Sequence, residues 1–181
     1  MTGLSPIAFD ALLPQKQCGK CGFTDCAAYA LALTQGAATN LCEFGGEALA
    51  KELANRLQKT YEPPAKPNPE SLTMRIRAAD CIGCTRCVQV CPVDAVVGAP
   101  KARHAILEPL CTGCEVCLAV CPTDCIETLP APAWDEEKAK LAKKRYLAKS
   151  VRERLRHLAR EKALAKDTTN RKALLDALLK D

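Results

Sequence analysis

The feature that most constrains this chain is a run of cysteines that occurs twice. Cys81, Cys84, Cys87 and Cys91, followed by Pro92, are spaced C-x2-C-x2-C-x3-C-P; Cys111, Cys114, Cys117 and Cys121, followed by Pro122, repeat that spacing thirty residues on. The match extends through Gly83/Gly113, Asp94/Asp124 and Val96/Ile126. Each half is about thirty residues long, too small to fold on hydrophobic burial alone. Thirteen cysteines stand among 181 residues that include only one Trp, three Tyr and three Phe. A chain so poor in large apolar side chains needs covalent or metal staples. No basic segment followed by an apolar run opens the sequence, so a secretory signal is not expected. In the reducing cytoplasm that this implies, dense cysteine reads as metal rather than disulfide.

Three closely spaced cysteines can wrap three irons of a cubane [4Fe-4S] cluster, and the fourth thiolate must come from elsewhere. In two-cluster ferredoxins the fourth cysteine of each run ligates the other cluster. The expected ligand sets are therefore Cys81, Cys84, Cys87 and Cys121 for one cluster, and Cys111, Cys114, Cys117 and Cys91 for the other. Zinc sites usually pair C-x2-C units a dozen or more residues apart, which fits two identical four-cysteine runs poorly.

A further group lies near the start, in LPQKQCGKCGFTDC. Cys18, Cys21 and Cys26 are local, and Cys42 is remote. Again three ligands plus one are available, which makes a third [4Fe-4S] site; a zinc knuckle or free thiols are the alternatives. The thirteenth cysteine, Cys125, aligns with Ala95 in the other half and reads as a small buried residue beside a cluster. His104 and His157 have no ligand-like company in the sequence and are expected to be structural or solvent-facing.

Four segments follow, in an α+β chain. Residues 1–60 form a small helical [4Fe-4S] domain. Thr24 and Asp25 start one helix, Gly36 stops it, and Leu49, Leu53 and Leu57 mark the face of another. Residues 61–73 contain four prolines and read as an extended linker that tethers this domain to the next. Residues 74–131 form a two-cluster ferredoxin-like domain of short β-hairpins and two short helices. Residues 132–181 form a long, basic, α-helical tail. Leu147, Val151, Leu155 and Leu158 make an apolar stripe there, and Thr168, Thr169 or Asn170 caps a second short helix carrying Leu174, Leu175, Leu178 and Leu179.

LPQKQCGKCGFTDC, CEFGGEA and the double run from Asp80 to Glu127 together resemble the B subunit of the Rnf/Rsx electron transport complex, over about two-thirds of the chain and in that family's order. The first piece is also similar to a four-cysteine [4Fe-4S] domain of corrinoid iron–sulfur proteins. The resemblance implies that Cys18, Cys21, Cys26 and Cys42 bind a cluster, and the CPTDCI segment holding Cys125 looks family-like. Members of the family typically begin with a membrane-spanning helix. The seventeen residues before Cys18 hold two prolines and are too short to span a bilayer, so a form lacking that anchor is expected.

Charge is unevenly spread. Residues 1–132 carry 11 basic and 13 acidic side chains, against 15 and 8 in residues 133–181. With twelve thiolates and three oxidised cores, the loaded protein sits near −1, with an acidic cluster-bearing part and a basic tail. Acidic cluster surfaces favour docking on basic patches of redox partners. The tail reads as a solvated arm packing on the body or a partner, or as a contact with anionic membrane. Its few aromatics, without basic–aromatic interleaving, argue against nucleic acid.

No catalytic acid, base or nucleophile stands out, and no glycine-rich nucleotide loop is present. The expectation is an electron carrier with three [4Fe-4S] clusters, not an enzyme on its own, that passes single electrons between partners such as ferredoxin or an oxidoreductase. The alternatives are a peripheral B subunit of an Rnf/Rsx-type complex at the cytoplasmic face of the inner membrane, and a cluster-stabilised scaffold with an interaction tail.

Overall fold

The computed structural model describes residues 5–178, without the side chains of residues 169, 170 and 173–178. The chain divides into two units, Met1–Tyr146 and Leu147–Asp181.

The first unit opens with α1, Pro6–Leu12, which the sequence pattern does not announce. It is short, but Ser5 caps it by accepting from the Ala8 N–H, and Pro6 stands where a missing N–H costs nothing. Helix α2, Cys26–Thr34, starts where expected: Asp25 Oδ1 accepts from the Ala28 N–H at 2.7 Å. Helix α3, Gly46–Leu57, follows a 3-10 turn at Glu43–Gly45. Phe9, Leu13, Tyr29, Ala30, Leu33 and Leu53 form the core shared by these helices. The Tyr29 hydroxyl, which burial would strand, donates to the Ala38 carbonyl at 2.8 Å.

Residues 58–71 carry no helix or strand, and strand β1, Leu72–Ile76, begins inside the stretch expected as linker. Strand β1 pairs antiparallel with the last strand of the repeat region, β4, Ile126–Pro130, with Ile76 opposite Ile126 and Leu72 opposite Pro130. Between them β2, Val96–Val97, pairs with β3, Ala105–Ile106. The strands that lead into and out of the repeat are thus hydrogen-bonded to each other, which closes the two halves around one core. Met74, Val93, Ala95, Val96 and Ile126 fill it, together with Cys87, Cys91, Cys117 and Cys125.

The thirty-residue repeat has the same backbone in both halves at its irregular positions. Thr85 and Glu115 have φ of 64° and 63°, and Asp94 and Asp124 have φ of 51° and 48°. Gly83 and Gly113 are also left-handed, and a Cβ at Gly113 would lie 2.2 Å from the Leu72 carbonyl oxygen. The halves differ at their expected helices: α4, Arg86–Val90, is α-helical, whereas Leu118–Val120 is a 3-10 turn.

Helix α5, Glu136–Leu178, is a single continuous helix. This corrects the expectation of a separate short helix capped at Thr168, Thr169 or Asn170. Thr168 Oγ1 donates back to the Leu164 carbonyl at 2.9 Å, the bond a threonine makes inside a helix rather than at its start. No Gly or Pro follows Pro132 to interrupt it. The stripe at Leu174, Leu175, Leu178 and Leu179 falls outside the described side chains. Within the second unit Leu147, Val151, Leu155 and Leu158 are exposed.

Candidate iron–sulfur site

The N-terminal cysteines are set by a loop that must turn sharply. Gln17 and Gly19 are left-handed, and the Gln17 side-chain oxygen accepts from the Cys26 N–H at 3.1 Å, which holds the loop against the first turn of α2. Cys42 immediately precedes the 3-10 turn. Cys18, Cys21, Cys26 and Cys42 line one small pocket, together with Leu13, Asp25 and Tyr29. Burial pushes the Cys26 and Cys42 thiols up to about 12, and raises Cys18 as well.

A second pocket is lined by Cys91, Cys111, Cys114 and Cys117, with Met74, Val93 and Ile106 as apolar walls. The fourth cysteine of the first run therefore stands with the first three of the second run. Burial, then the neighbouring Cys114 and Cys111 sulfurs, push Cys117 up to about 12.

The remaining cysteines share another region. Cys84 and Cys81 act electrostatically on Cys87, whose thiol burial raises. Cys121 Sγ lies 3.5 Å from Cys125 Sγ. Cys125 is buried in the core, as expected from its alignment with the equally buried Ala95. Burial raises Cys121 too, but N–H donors from Thr123 and Cys125 outweigh it and hold this thiol low.

Of the two expected alternatives for His104, the structure supports the structural one: it is buried, its Nδ1 is 3.5 Å from Cys81 Sγ, and its backbone N–H donates to the same sulfur at 3.4 Å. It has no ligand-like company in the sequence because Cys81 is brought to it only by the fold. Gly98 makes room for the ring: a Cβ there would stand 1.8 Å from His104 Cδ2.

The donor chemistry of these four-cysteine pockets fits an iron–sulfur cluster. Backbone N–H groups point at sulfur throughout: Lys20 at Cys18, Gly45 and Phe44 at Cys42, Val116 at Cys114, and Ala95 at Cys91 at 3.2 Å. Such donors stabilise thiolate over thiol, and hydrogen bonds to sulfur tune cluster potentials. The Thr112 hydroxyl is buried without a hydrogen-bond partner among the described residues, and Thr112 lines the pocket of Cys91, Cys111, Cys114 and Cys117.

The residues that join the N-terminal group to the repeat are not marked by any motif. Lys16 Nζ donates to the Thr112 carbonyl at 3.0 Å, and lies 4.4 Å from the ring centroids of both Phe44 and Trp134. Burial lowers its pKa, while the Cys18, Cys111 and Cys114 sulfurs pull it back up. Lys20 pairs with Glu115, and Trp134 Nε1 donates to the Pro14 carbonyl at 2.7 Å. The signal that could have found this seam is the presence of two lysines among the first cysteines.

Comparison with known families separates the same two regions. Residues 74–128 match the model described as a 4Fe-4S dicluster domain, and residues 13–44 match one described as "Putative Fe-S cluster". The B subunit of the ion-translocating oxidoreductase complex of Hahella chejuensis is 49% identical over 138 residues, 71% of this chain and 70% of that protein. The chain belongs to this family of B subunits. The resemblance read from the motifs is thereby borne out. The B subunits of the same complex in Sodalis glossinidius and in an Azoarcus species are each 48% identical, over 110 and 105 residues, 58% and 56% of this chain. The chain spans 58% and 57% of those relatives' lengths. Among the described residues of this family member, no helix is long and apolar enough to cross a membrane.

Proposed function

We propose that this member of the B-subunit family holds three [4Fe-4S] clusters and relays single electrons between protein partners in an ion-translocating oxidoreductase complex. The observation that carries the reading is the pocket where Cys91 joins Cys111, Cys114 and Cys117. A zinc site has no need of a ligand crossing from the other half of the repeat, whereas paired cubanes do. The N-terminal pocket repeats the arithmetic with Cys18, Cys21, Cys26 and Cys42. Cys81, Cys84, Cys87 and Cys121 make the third set. Each cluster supplies reversible one-electron chemistry at a potential set by its surroundings.

The protein's own part is to hold, insulate and tune. Met74, Val93 and Ile106 keep water from the Cys91 set. The N–H donors at sulfur favour the ionised thiolates that iron requires. His104 places a ring nitrogen and a backbone N–H against Cys81. Cys84, the exposed member of its set, is where an electron enters or leaves by the shortest route to a docked partner. No acid, base or nucleophile is assigned, because none is needed.

Helix α5 adds a contact surface. Leu147, Val151, Leu155 and Leu158 are exposed on it beside Arg154, Arg156 and Arg160, a composition suited to the cytoplasmic face of an anionic membrane. Lys143 does not belong to that surface, since it pairs with Asp10 in the first unit.

Anaerobic affinity capture of the full chain, with membrane and soluble fractions analysed separately, tests the assignment. Recovery with integral membrane components of an ion-translocating oxidoreductase supports it. Recovery only with a soluble oxidoreductase makes the chain a free carrier. Clusters that cannot be reversibly reduced would leave a scaffold.

A further inference from the structure

Lys16 is a cation where a chain avoids placing one. It is 3% exposed, and among the described residues no carboxylate pairs with it. Burying an ammonium without a counter-charge is costly unless something replaces water around it. Two aromatic faces do so in part, those of Phe44 and Trp134. The Thr112 carbonyl takes one N–H. These partners are not random neighbours. Phe44 lies two residues after Cys42, and Thr112 lies between Cys111 and Gly113. Lys16 lines the pocket of Cys18, Cys21, Cys26 and Cys42, and Thr112, whose carbonyl it holds, lines the pocket of Cys91, Cys111, Cys114 and Cys117. Neither pocket is lined by Cys81, Cys84, Cys87 or Cys121. The neighbouring Lys20–Glu115 pair spans the same seam but cancels its own charge.

Four thiolates around an oxidised cubane core carry about −2 in total, and an added electron makes that about −3. A fixed positive charge between two such assemblies stabilises the reduced form of each, more strongly when it is buried than in water. We propose that the Lys16 ammonium is a positioning charge that raises the reduction potentials of the N-terminal site and the Cys91–Cys111–Cys114–Cys117 site together, leaving the Cys81 site apart. One side chain thus matches two stations of the relay to each other. Only an electron moves in this step; no bond forms or breaks.

The inference rests on the three-cluster reading, and one experiment separates the two. The full chain is reconstituted anaerobically, its iron counted, and its clusters titrated potentiometrically with detection by electron paramagnetic resonance. Wild type, Lys16→Met, Lys16→Gln and Lys16→Arg are compared, with Cys42→Ala identifying the N-terminal signal. About twelve irons in wild type and about eight in Cys42→Ala uphold the reading itself. In Lys16→Met and Lys16→Gln, the equilibrium constant for reduction should fall about tenfold, 59 mV for one electron, at two sites and stay unchanged at the third. Lys16→Arg should keep wild-type values. Unchanged potentials, an equal shift at all three sites, or loss of iron from both neutral variants would overturn the proposal with the reading intact.

Discussion

At the scale of single residues, the sulfurs make opposite demands with and without iron. Burial pushes Cys26, Cys42 and Cys117 up to about 12 in the folded chain, whereas a thiol in an unfolded chain titrates near about 8.5. Between those values the folded iron-free protein holds protons that the unfolded chain has released. Its stability must therefore be fully present below about pH 8.5 and fall as pH rises further. Cys121, held low, opposes the trend with a single group. The residual folded structure of the iron-free chain should be lost at lower urea at about pH 10 than at about pH 7. Loss at equal or higher urea at the alkaline pH would contradict the burial of these thiols. Gly113→Ala is a second test at this scale. Its Cβ would meet a backbone oxygen at 2.2 Å in a left-handed turn, so a loss of about 1–3 kcal/mol is expected in denaturant unfolding.

At the scale of elements, α2 and the β1–β4 pair carry the cysteines into place. Asp25 caps α2, and its other carboxylate oxygen accepts from the Tyr146 hydroxyl at 2.7 Å. Asp25→Ala should cost about 0.5–2 kcal/mol for the cap alone, and Asp25→Asn clearly less, as read from thermal unfolding of the loaded protein. Met74 on β1 is 1% exposed and walls the Cys91 pocket. Met74→Ala should cost about 2–5 kcal/mol and speed iron loss. Much of this was legible in the sequence. Cysteine spacing and the repeat located the regions that the family comparisons match, and Asp25 and the Leu49–Leu53–Leu57 spacing located α2 and α3. What was not legible depends on contacts distant along the chain. Lys16 and Thr112 are 96 residues apart, and His104 meets Cys81 from 23 residues away, its ring seated where Gly98 has no Cβ. Helix α1 escaped because its apolar face shows no long period. The break wrongly placed at Thr168 came from giving capping residues more weight than an uninterrupted run of helix formers.

At the scale of the whole molecule, charge is partitioned along the chain, and the basic excess lies in residues 133–181. Vesicles containing anionic lipid should bind the full chain in low salt and release it as salt rises. Replacing Arg154, Arg156 and Arg160 with Glu should abolish that binding while leaving iron content unchanged. Sedimentation with anionic vesicles measures it, and undiminished binding would remove α5 from the membrane assignment. The most direct test of the central claim is iron per chain after anaerobic reconstitution, for wild type and for Cys42→Ala. Three clusters require about twelve irons in the first and about eight in the second, with the spectrum of the dicluster domain retained. About eight irons in both, or loss of all iron from the variant, would contradict the account.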